Sequence, residues 1–324
     1  MPPSALPKTK AASDEQVWAF AQDVRAGLIK PQKELHSKYL YDELGSALFE
    51  AITYLPEYGL TRADERLLRE HAADIASRAG SSCVAELGSG TGRKTRFILA
   101  ALGRRRPVRY FPIDVSAEAL TRCERELSDV AEVHPRLQSY LDGMASVAGE
   151  CPPDERMLVL FLGSTIGNFE RPCSLEFLRD LRSGLNRGDS LLLGADLVKE
   201  PLRMLAAYDD PTGVTAAFNL NLLGRVNREL GGDFDLANFR HEARWNERER
   251  RIEMHLVSRV RQTVSIRACD LTLPFCAGES IWTESSHKFY PDEMSALAER
   301  SGFRVEAQWT DRQWPFVESL WTAH

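Results

Sequence analysis

A chain of 324 residues is long enough for one large domain or two moderate ones, each with a proper hydrophobic core. Its composition is 43% hydrophobic and 27% charged with a net charge of −6, so it lacks the basic footprint of a nucleic-acid binder and points to small or peptide-like partners. No run approaches the roughly 18 apolar residues of a membrane span, and residues 1–12, MPPSALPKTKAA, lack the apolar core of a secretion signal.

Near the start, Ser13 and Gln16 form a plausible capping box, and Val17, Phe20, Val24 and Leu28 then share one helical face. Residues 30–39 read as a polar connection, and residues 41–55 as a helix with the stripe Leu44, Leu48 and Ile52. LPEYGLTRAD supplies a turn and a second helix, capped at Thr61 and running to Ala79. Tyr39, Tyr41, Tyr54 and Tyr58 cluster here, as packing aromatics whose hydroxyls can also serve a small substrate.

The stretch that organises the chain is VAELGSGTGRKT at residues 84–95. A buried strand over residues 81–87 stops at Gly88, Gly90 and Gly92, and a helix follows over residues 94–102. Asp114 ends a second apolar run, where a carboxylate can accept both ribose hydroxyls of an adenosine, in a dinucleotide or in S-adenosylmethionine alike. Asp142, in YLDG, falls where a third strand would end; MLVLFL at residues 157–162 opens into GSTIGN, and SLLLGA at residues 190–195 makes a fifth strand. This repeat predicts βα units on a parallel sheet. Glu86 just before the glycines, with Arg93 and Lys94 just after them, favours S-adenosylmethionine over a nicotinamide cofactor, whose pyrophosphate needs a bare helix N-terminus. The six cysteines, Cys83, Cys123, Cys151, Cys173, Cys269 and Cys276, show neither CxxC nor zinc spacing. They read as reduced packing residues of a cytoplasmic protein with no metal.

From Val198 the rhythm is lost for about ninety residues. Thr212 can cap a helix striped by Val214, Phe218, Leu222, Val226 and Leu230, which Gly231 and Gly232 stop. Ile252, Met254, Leu256, Val260, Val264 and Ile266 then alternate as in half-buried antiparallel strands. Residues 291–301 read as a helix, followed by the strand pair FRVEAQWT and FVESLWTA. The expected fold is therefore α/β, a Rossmann-like class I methyltransferase core with a second, α+β domain. Residues 1–60 and 198–287 would build the second domain, and residues 61–197 and 288–324 the core.

YDELGS, LPEYGLTRAD, ELGSGTGRKT, FLGSTIGN, ADLVKE, AYDDPTGVTAAFN, RIEM and TESSHKF together resemble the histidine N-alpha-methyltransferases of ergothioneine biosynthesis, from about residue 38 to the C-terminus. The resemblance implies that the second unit is an α+β substrate-binding domain joined to the methyltransferase core, and that S-adenosylmethionine delivers three methyl groups in turn to the α-amine of L-histidine, giving hercynine. It implies that Asn168 and Tyr208 hold the substrate carboxylate, and that Glu284 and Ser286 hold the imidazole. Both assignments suit the donor and acceptor chemistry of those side chains. Tyr58 would line the imidazole pocket, Met254 would form an apolar wall, and Tyr41 would lie near the amine, assisting proton loss together with the Gly163 carbonyl. On the cofactor side the matching positions are Gly88, Lys94, Asp114 for the ribose, Asp142 for the adenine amino edge, and Gly143.

The sequence departs from the family pattern at Gly59, where a second tyrosine is frequent, and at Gly143, where a larger residue is common. His287 replaces a small residue, and strand alternation turns it away from the face of Glu284 and Ser286. Two readings compete with histidine methylation: N-methylation of another aromatic amino acid, and a catalytically silent S-adenosylmethionine-binding module. A nicotinamide oxidoreductase is more distant. A monomer is expected.

Overall fold

The computed structural model describes residues 14–152 and 155–324. Helix α1 (Asp14–Leu28) buries Phe20, Val24 and Leu28; Ser13, half of the expected capping box, lies outside the described residues. The stretch read as a polar connection contains a short strand, β1 (Lys33–Glu34), which pairs in parallel with Ile281 and Trp282 far along the chain. Helix α2 (Glu43–Thr53) is capped by Asp42, whose carboxylate accepts from Gly45 N–H, and it buries Ile52 but leaves Leu44 exposed, so the expected stripe is shorter than drawn. Helix α3 (Gly59–Ala79) starts before Thr61: its N-cap is Tyr58, and Gly80 in the left-handed region ends it.

The glycine loop follows strand β2 (Cys83–Leu87) and leads into α4 (Arg96–Gly103), β3 (Arg109–Asp114) and α5 (Ala117–Leu127). The third strand is broken into β4 (Glu132–Val133) and β5 (Arg136–Leu137), each paired with β3. Pro135 lies at the break, where it has no N–H to give the ladder. Asp142 is consequently not at a strand end; it lies in the first turn of α6 (Tyr140–Val147), capped by Ser139. Strand β6 (Met157–Phe161), helix α7 (Arg171–Ser183) and strand β7 (Ser190–Asp196) complete the parallel part. Strands β2, β6 and β7 are buried along their whole length, which is why they read as continuous apolar runs.

The cysteines differ from expectation. Cys83 and Cys151 are joined in a disulfide, their Cα atoms 6.1 Å apart, because the loop carrying Cys151 leads into the strand that pairs with Cys83. Cys173 and Cys276 are exposed rather than packed, while Cys123 and Cys269 are free and buried.

Beyond β7 come α8 (Pro201–Tyr208) and α9 (Val214–Leu230). Asp210, not Thr212, caps α9, accepting from the N–H groups of Val214 and Thr215. Strands β8 (Phe239–Asn246), β9 (Arg251–Ser258), β10 (Gln262–Ile266), β11 (Leu271–Phe275) and β12 (Ser280–His287) follow. A second sheet runs β1-β12-β9-β8, with β10 and β11 as a separate hairpin. Val260, expected in the alternation, is exposed between β9 and β10. Helix α10 (Pro291–Arg300) and strands β13 (Phe303–Asp311) and β14 (Phe316–Ala323) return to the core, where β14 is wedged antiparallel between β7 and β13. The core order is β13-β14-β7-β6-β2-β3-β4.

Alternating side chains give the core sheet an apolar layer on each face, Phe111, Phe161 and Trp321 on one and Tyr110, Leu158 and Leu192 on the other. The second sheet packs Met254, Leu256 and Phe239 with Phe20 of α1 and Phe218 of α9. The inserted segment leaves and rejoins the core at neighbouring points, since Leu197 bridges Phe289 and Val198 N–H donates to Phe289 C=O at 3.0 Å.

Candidate functional site

Gly88, Gly90 and Gly92 all have positive φ, 74°, 52° and 70°, a conformation that side chains with a Cβ resist. Asp114, at the end of β3, accepts from Gly90 N–H at 3.2 Å and Ser116 N–H at 2.9 Å, so its carboxylate lies against the glycine loop. Burial pushes its pKa up, outweighing these backbone bonds. Glu86 braces the loop from beneath, accepting from Thr95 and from the Tyr110 hydroxyl, and burial raises its pKa to about 7. Asp142 is exposed and held by Ser139 Oγ at 2.6 Å, on the rim beside α6. The Tyr140 hydroxyl comes so close to Gly88 that a Cβ there would lie 3.1 Å from its oxygen.

Lys94 is tied down by Asp64, a fully buried residue of α3, at 2.5 Å. The same Asp64 oxygen accepts the N–H of Gly163 at 3.0 Å. Gly163 has φ 72°, and a Cβ on it would lie 3.0 Å from Lys94 Nζ. Sequence reasoning missed Asp64 and the Glu318 carboxyl behind it, although Asp64 stands in the quoted string LPEYGLTRAD.

GSTIGN connects the two halves of the site. Its Gly163 end meets Lys94 and Asp64, while at its other end Asn168 Nδ2 donates to Glu284 Oε1 at 3.4 Å. Gly167 lets strand β12 approach, since a Cβ there would lie 2.8 Å from the His287 carbonyl oxygen. Glu284 is aimed by a bulge. Trp282 pairs with His255, whereas after the extra residue Thr283 it is Glu284 that pairs with Met254. Trp282 therefore stacks on His255 on one face, and Glu284 and Ser286 share the other with Met254. His287 faces Glu170, at 3.6 Å, away from Glu284 and Ser286.

Burial raises the Glu284 pKa to about 7, and the Lys288 charge opposes the rise. Tyr58, the cap of α3, packs edge-on against Tyr208, the last residue of α8, with centroids 6.0 Å apart. Tyr41 packs between Phe49 and Phe218. Burial lifts the phenols of Tyr41, Tyr58 and Tyr208 well above their ordinary range, so all three are hydrogen-bond donors at neutral pH. Ser286 bonds the Tyr208 hydroxyl at 2.7 Å, and Asn168 bonds Glu284. Lys288, 0% exposed, was also missed; its ammonium donates to both Tyr208 and Ser286 at 2.9 Å.

Gly59 and Gly143 are both sterically confined. A Cβ at Gly59 would lie 2.2 Å from the Trp314 ring, and one at Gly143 would lie 2.4 Å from Ile113 Cγ2. Gly59→Tyr is expected to destabilise the protein by about 1–3 kcal/mol through overpacking, a loss that Trp314→Ala in the same chain should partly relieve. Thermal unfolding of the single and double variants checks this.

The arrangement sets a glycine loop with the half-buried Asp114 carboxylate at one end of GSTIGN and a buried polar cluster, with the Glu284 carboxyl and the Tyr208 and Ser286 hydroxyls, at the other. The family model described as histidine-specific methyltransferase, SAM-dependent, matches residues 20–323. A protein of Mycolicibacterium smegmatis named histidine N-alpha-methyltransferase is 45% identical over 312 residues, 95% of this chain and 96% of its own. One of the same name from Mycobacterium tuberculosis is 45% identical over 93% of this chain and 94% of its own. A protein of Psilocybe serbica named L-tryptophan methyltransferase is 27% identical over 89% of this chain and 88% of its own.

Proposed function

The chain belongs to the SAM-dependent histidine-specific methyltransferases, and we propose that it methylates the α-amine of L-histidine three times to give hercynine, a step of ergothioneine biosynthesis. The observation that carries this is the segment 163–168, which ends at Lys94 and Asp64 on the cofactor side and at Glu284 on the substrate side. S-adenosylmethionine supplies a methyl group on a sulfonium; the amine nitrogen forms the new C–N bond as the S–C bond breaks, and an amine proton leaves to solvent.

The protein's own residues bind and orient. Gly88, Gly90 and Asp114 fit an adenosine, as the open space at Gly90 and the adjacent half-buried carboxylate support, with Asp142 and Gly143 at the adenine edge and Lys94 beside Gly163. Glu284 accepts an imidazole N–H, Met254 and Tyr58 flank the ring, and Asn168, Tyr208 and Ser286 present donors to the rest of the amino acid. Tyr41 acts as a neutral phenol near the amine, since burial keeps its proton on. Fixing both ends of the substrate places the nitrogen for in-line attack, and positioning is the main catalytic effect. With an amine pKa near 9, roughly one per cent is neutral at pH 7, so no dedicated base is required.

Residues 1–60 with 198–287 serve as the substrate-binding unit, and residues 61–197 with 288–324 as the methyltransferase core. The pairing of β1 with β12 supports that division. We also read the enzyme as a monomer, because both ligand sites are built within one chain; sedimentation of the purified protein tests this. Among the described residues no helix is long and apolar enough to cross a membrane, and no cluster of potential metal ligands is present.

The direct test is mass spectrometry after incubation with S-adenosylmethionine and an equimolar mixture of the twenty amino acids. Histidine heavier by three methyl groups is the expected product. Methylation of tryptophan instead would overturn the substrate, and no methylation despite tight cofactor binding would make the chain a silent module.

Glu284 also sets a pH dependence. Its folded-state pKa is raised from 4.5 to about 7, so the folded state holds that proton more tightly than the unfolded chain does. The stability it contributes is complete below about pH 4.5 and is lost as pH rises through 7. Glu284→Gln is expected to flatten the fall in melting temperature over that window, without abolishing it, because Glu86 is raised to the same value. Melting curves of both proteins from pH 5 to 8 decide it.

A further inference from the structure

We infer that Lys288 is a positioning residue that makes the site selective for a substrate carrying a free carboxylate, acting through the hydroxyls of Tyr208 and Ser286. The inference rests on the amino-acid methyltransferase reading above and adds a residue to which no role has been given.

Two observations carry it. The first is a count of charges. Asp196, 1% exposed, lies between two ammonium groups, Lys199 at 2.7 Å from one oxygen and Lys288 at 2.9 Å from the other. Lys199 is 3% exposed and Lys288 fully buried, so one carboxylate faces two enclosed cations. Trp314 Nε1 adds a further donor to Asp196, at 2.9 Å. Glu284, the other carboxyl that feels the Lys288 charge, is raised by burial to about 7 and offsets the surplus only in part; the remaining positive charge is costly unless an anion meets it. The carboxylate of an amino acid is an anion of the right kind.

The second is a count of protons and lone pairs. Lys288 donates to the Tyr208 oxygen and to Ser286 Oγ, both at 2.9 Å, and those two hydroxyls are hydrogen-bonded to each other at 2.7 Å. Their mutual bond uses one of the two hydroxyl protons, whichever residue donates it. Lys288 occupies a lone pair on each oxygen and the mutual bond a third, which leaves one O–H and one lone pair between them. The ammonium behind the pair polarises that O–H and so biases the pair towards donation. An acceptor such as a carboxylate is favoured there, and a carboxamide NH2 or an ammonium is not. Without Lys288 the same hydroxyls would be free to rotate and accept.

Lys288→Met retains the length of the side chain and removes the charge. Loss of a charged hydrogen-bond partner predicts a fall of about 10- to 100-fold in kcat/KM for histidine. The activity on histidine carboxamide should change by less than about threefold, so the preference for the free acid collapses, while S-adenosylmethionine affinity stays within about twofold. Since Lys288→Met orphans part of Asp196, Lys288→Met with Asp196→Asn is made alongside it and read in the same way. A folded variant that keeps the wild-type preference for histidine over its carboxamide overturns the inference. So does a wild-type enzyme that methylates histidine yet shows no preference for the free acid. A wild-type enzyme that methylates no histidine at all overturns the underlying reading instead, and that result is distinguished before any variant is made.

Discussion

Glu284→Ala is expected to raise the histidine KM by about 10- to 100-fold and to narrow the gap between histidine and other aromatic amino acids. Glu284 is 8% exposed, and it is turned into the pocket opposite Met254 by the bulge at Thr283. A buried acceptor discriminates chiefly by the penalty of leaving it unpaired: phenylalanine offers no ring N–H, so the wrong substrate strands the carboxylate. Removing the carboxylate removes the penalty as well as the bond, so the loss falls on histidine alone. Steady-state kinetics with histidine, phenylalanine and tryptophan would show it, and an unchanged histidine KM would remove Glu284 from the imidazole site. Bulge and side chain can be separated by Thr283→Gly, which keeps Glu284 but loosens the turn that aims it.

The second large effect is expected on the opposite side of GSTIGN. Asp64→Ala should lower stability by about 2–4 kcal/mol, somewhat below the usual cost of breaking a buried ion pair because Lys94 keeps partial contact with solvent. It should also weaken S-adenosylmethionine binding by tenfold or more, since Asp64 holds both the Lys94 ammonium and the Gly163 N–H in place. Glu318→Gln should be nearly silent in the same assays. Burial first, and then the negative charge of Asp64, drives the Glu318 pKa well above the carboxylate range, which favours the protonated acid that glutamine imitates. Calorimetric titration with S-adenosylmethionine on both variants separates the cases. A normal affinity in Asp64→Ala would count against Lys94 as a cofactor contact.

Much of the fold was legible because it is written in short range. Fully buried parallel strands must be apolar runs, and β2, β6 and β7 are; the glycines had to mark the turn, and all three have positive φ. The third strand was not legible, because its ladder is split at Pro135 and only two residues pair on either side. Strand β1 was hidden for a related reason: two residues that read as polar linker gain their ladder only from β12, far along the chain.

Among the site residues, Tyr58, Tyr208, Glu284 and Ser286 stand in strings specific enough to single them out. Lys288 and Asp64 stand in the same strings yet went unassigned. Each acts on another side chain, and such a partner is visible only once helix, loop and strand have been brought together. The alternation that turns His287 outward could be read locally; the bulge that sends Trp282 and Glu284 to opposite faces could not.

The neighbouring crossing points at Leu197 and Phe289 have a practical consequence. Because the chain departs and returns through one narrow neck, the segment between them behaves as a cassette whose ends are already the right distance apart for exchange. A recogniser for another amine could be grafted there while the methyl-donating half keeps its own ladder, β14 lying on β7 either way. The junction would need to preserve Asp196 and Lys288, which stand just inside the neck on either strand of the crossing. The part of the selectivity that rests on Tyr208, Met254, Glu284 and Ser286 would then travel with the cassette, and the reaction would stay with the host.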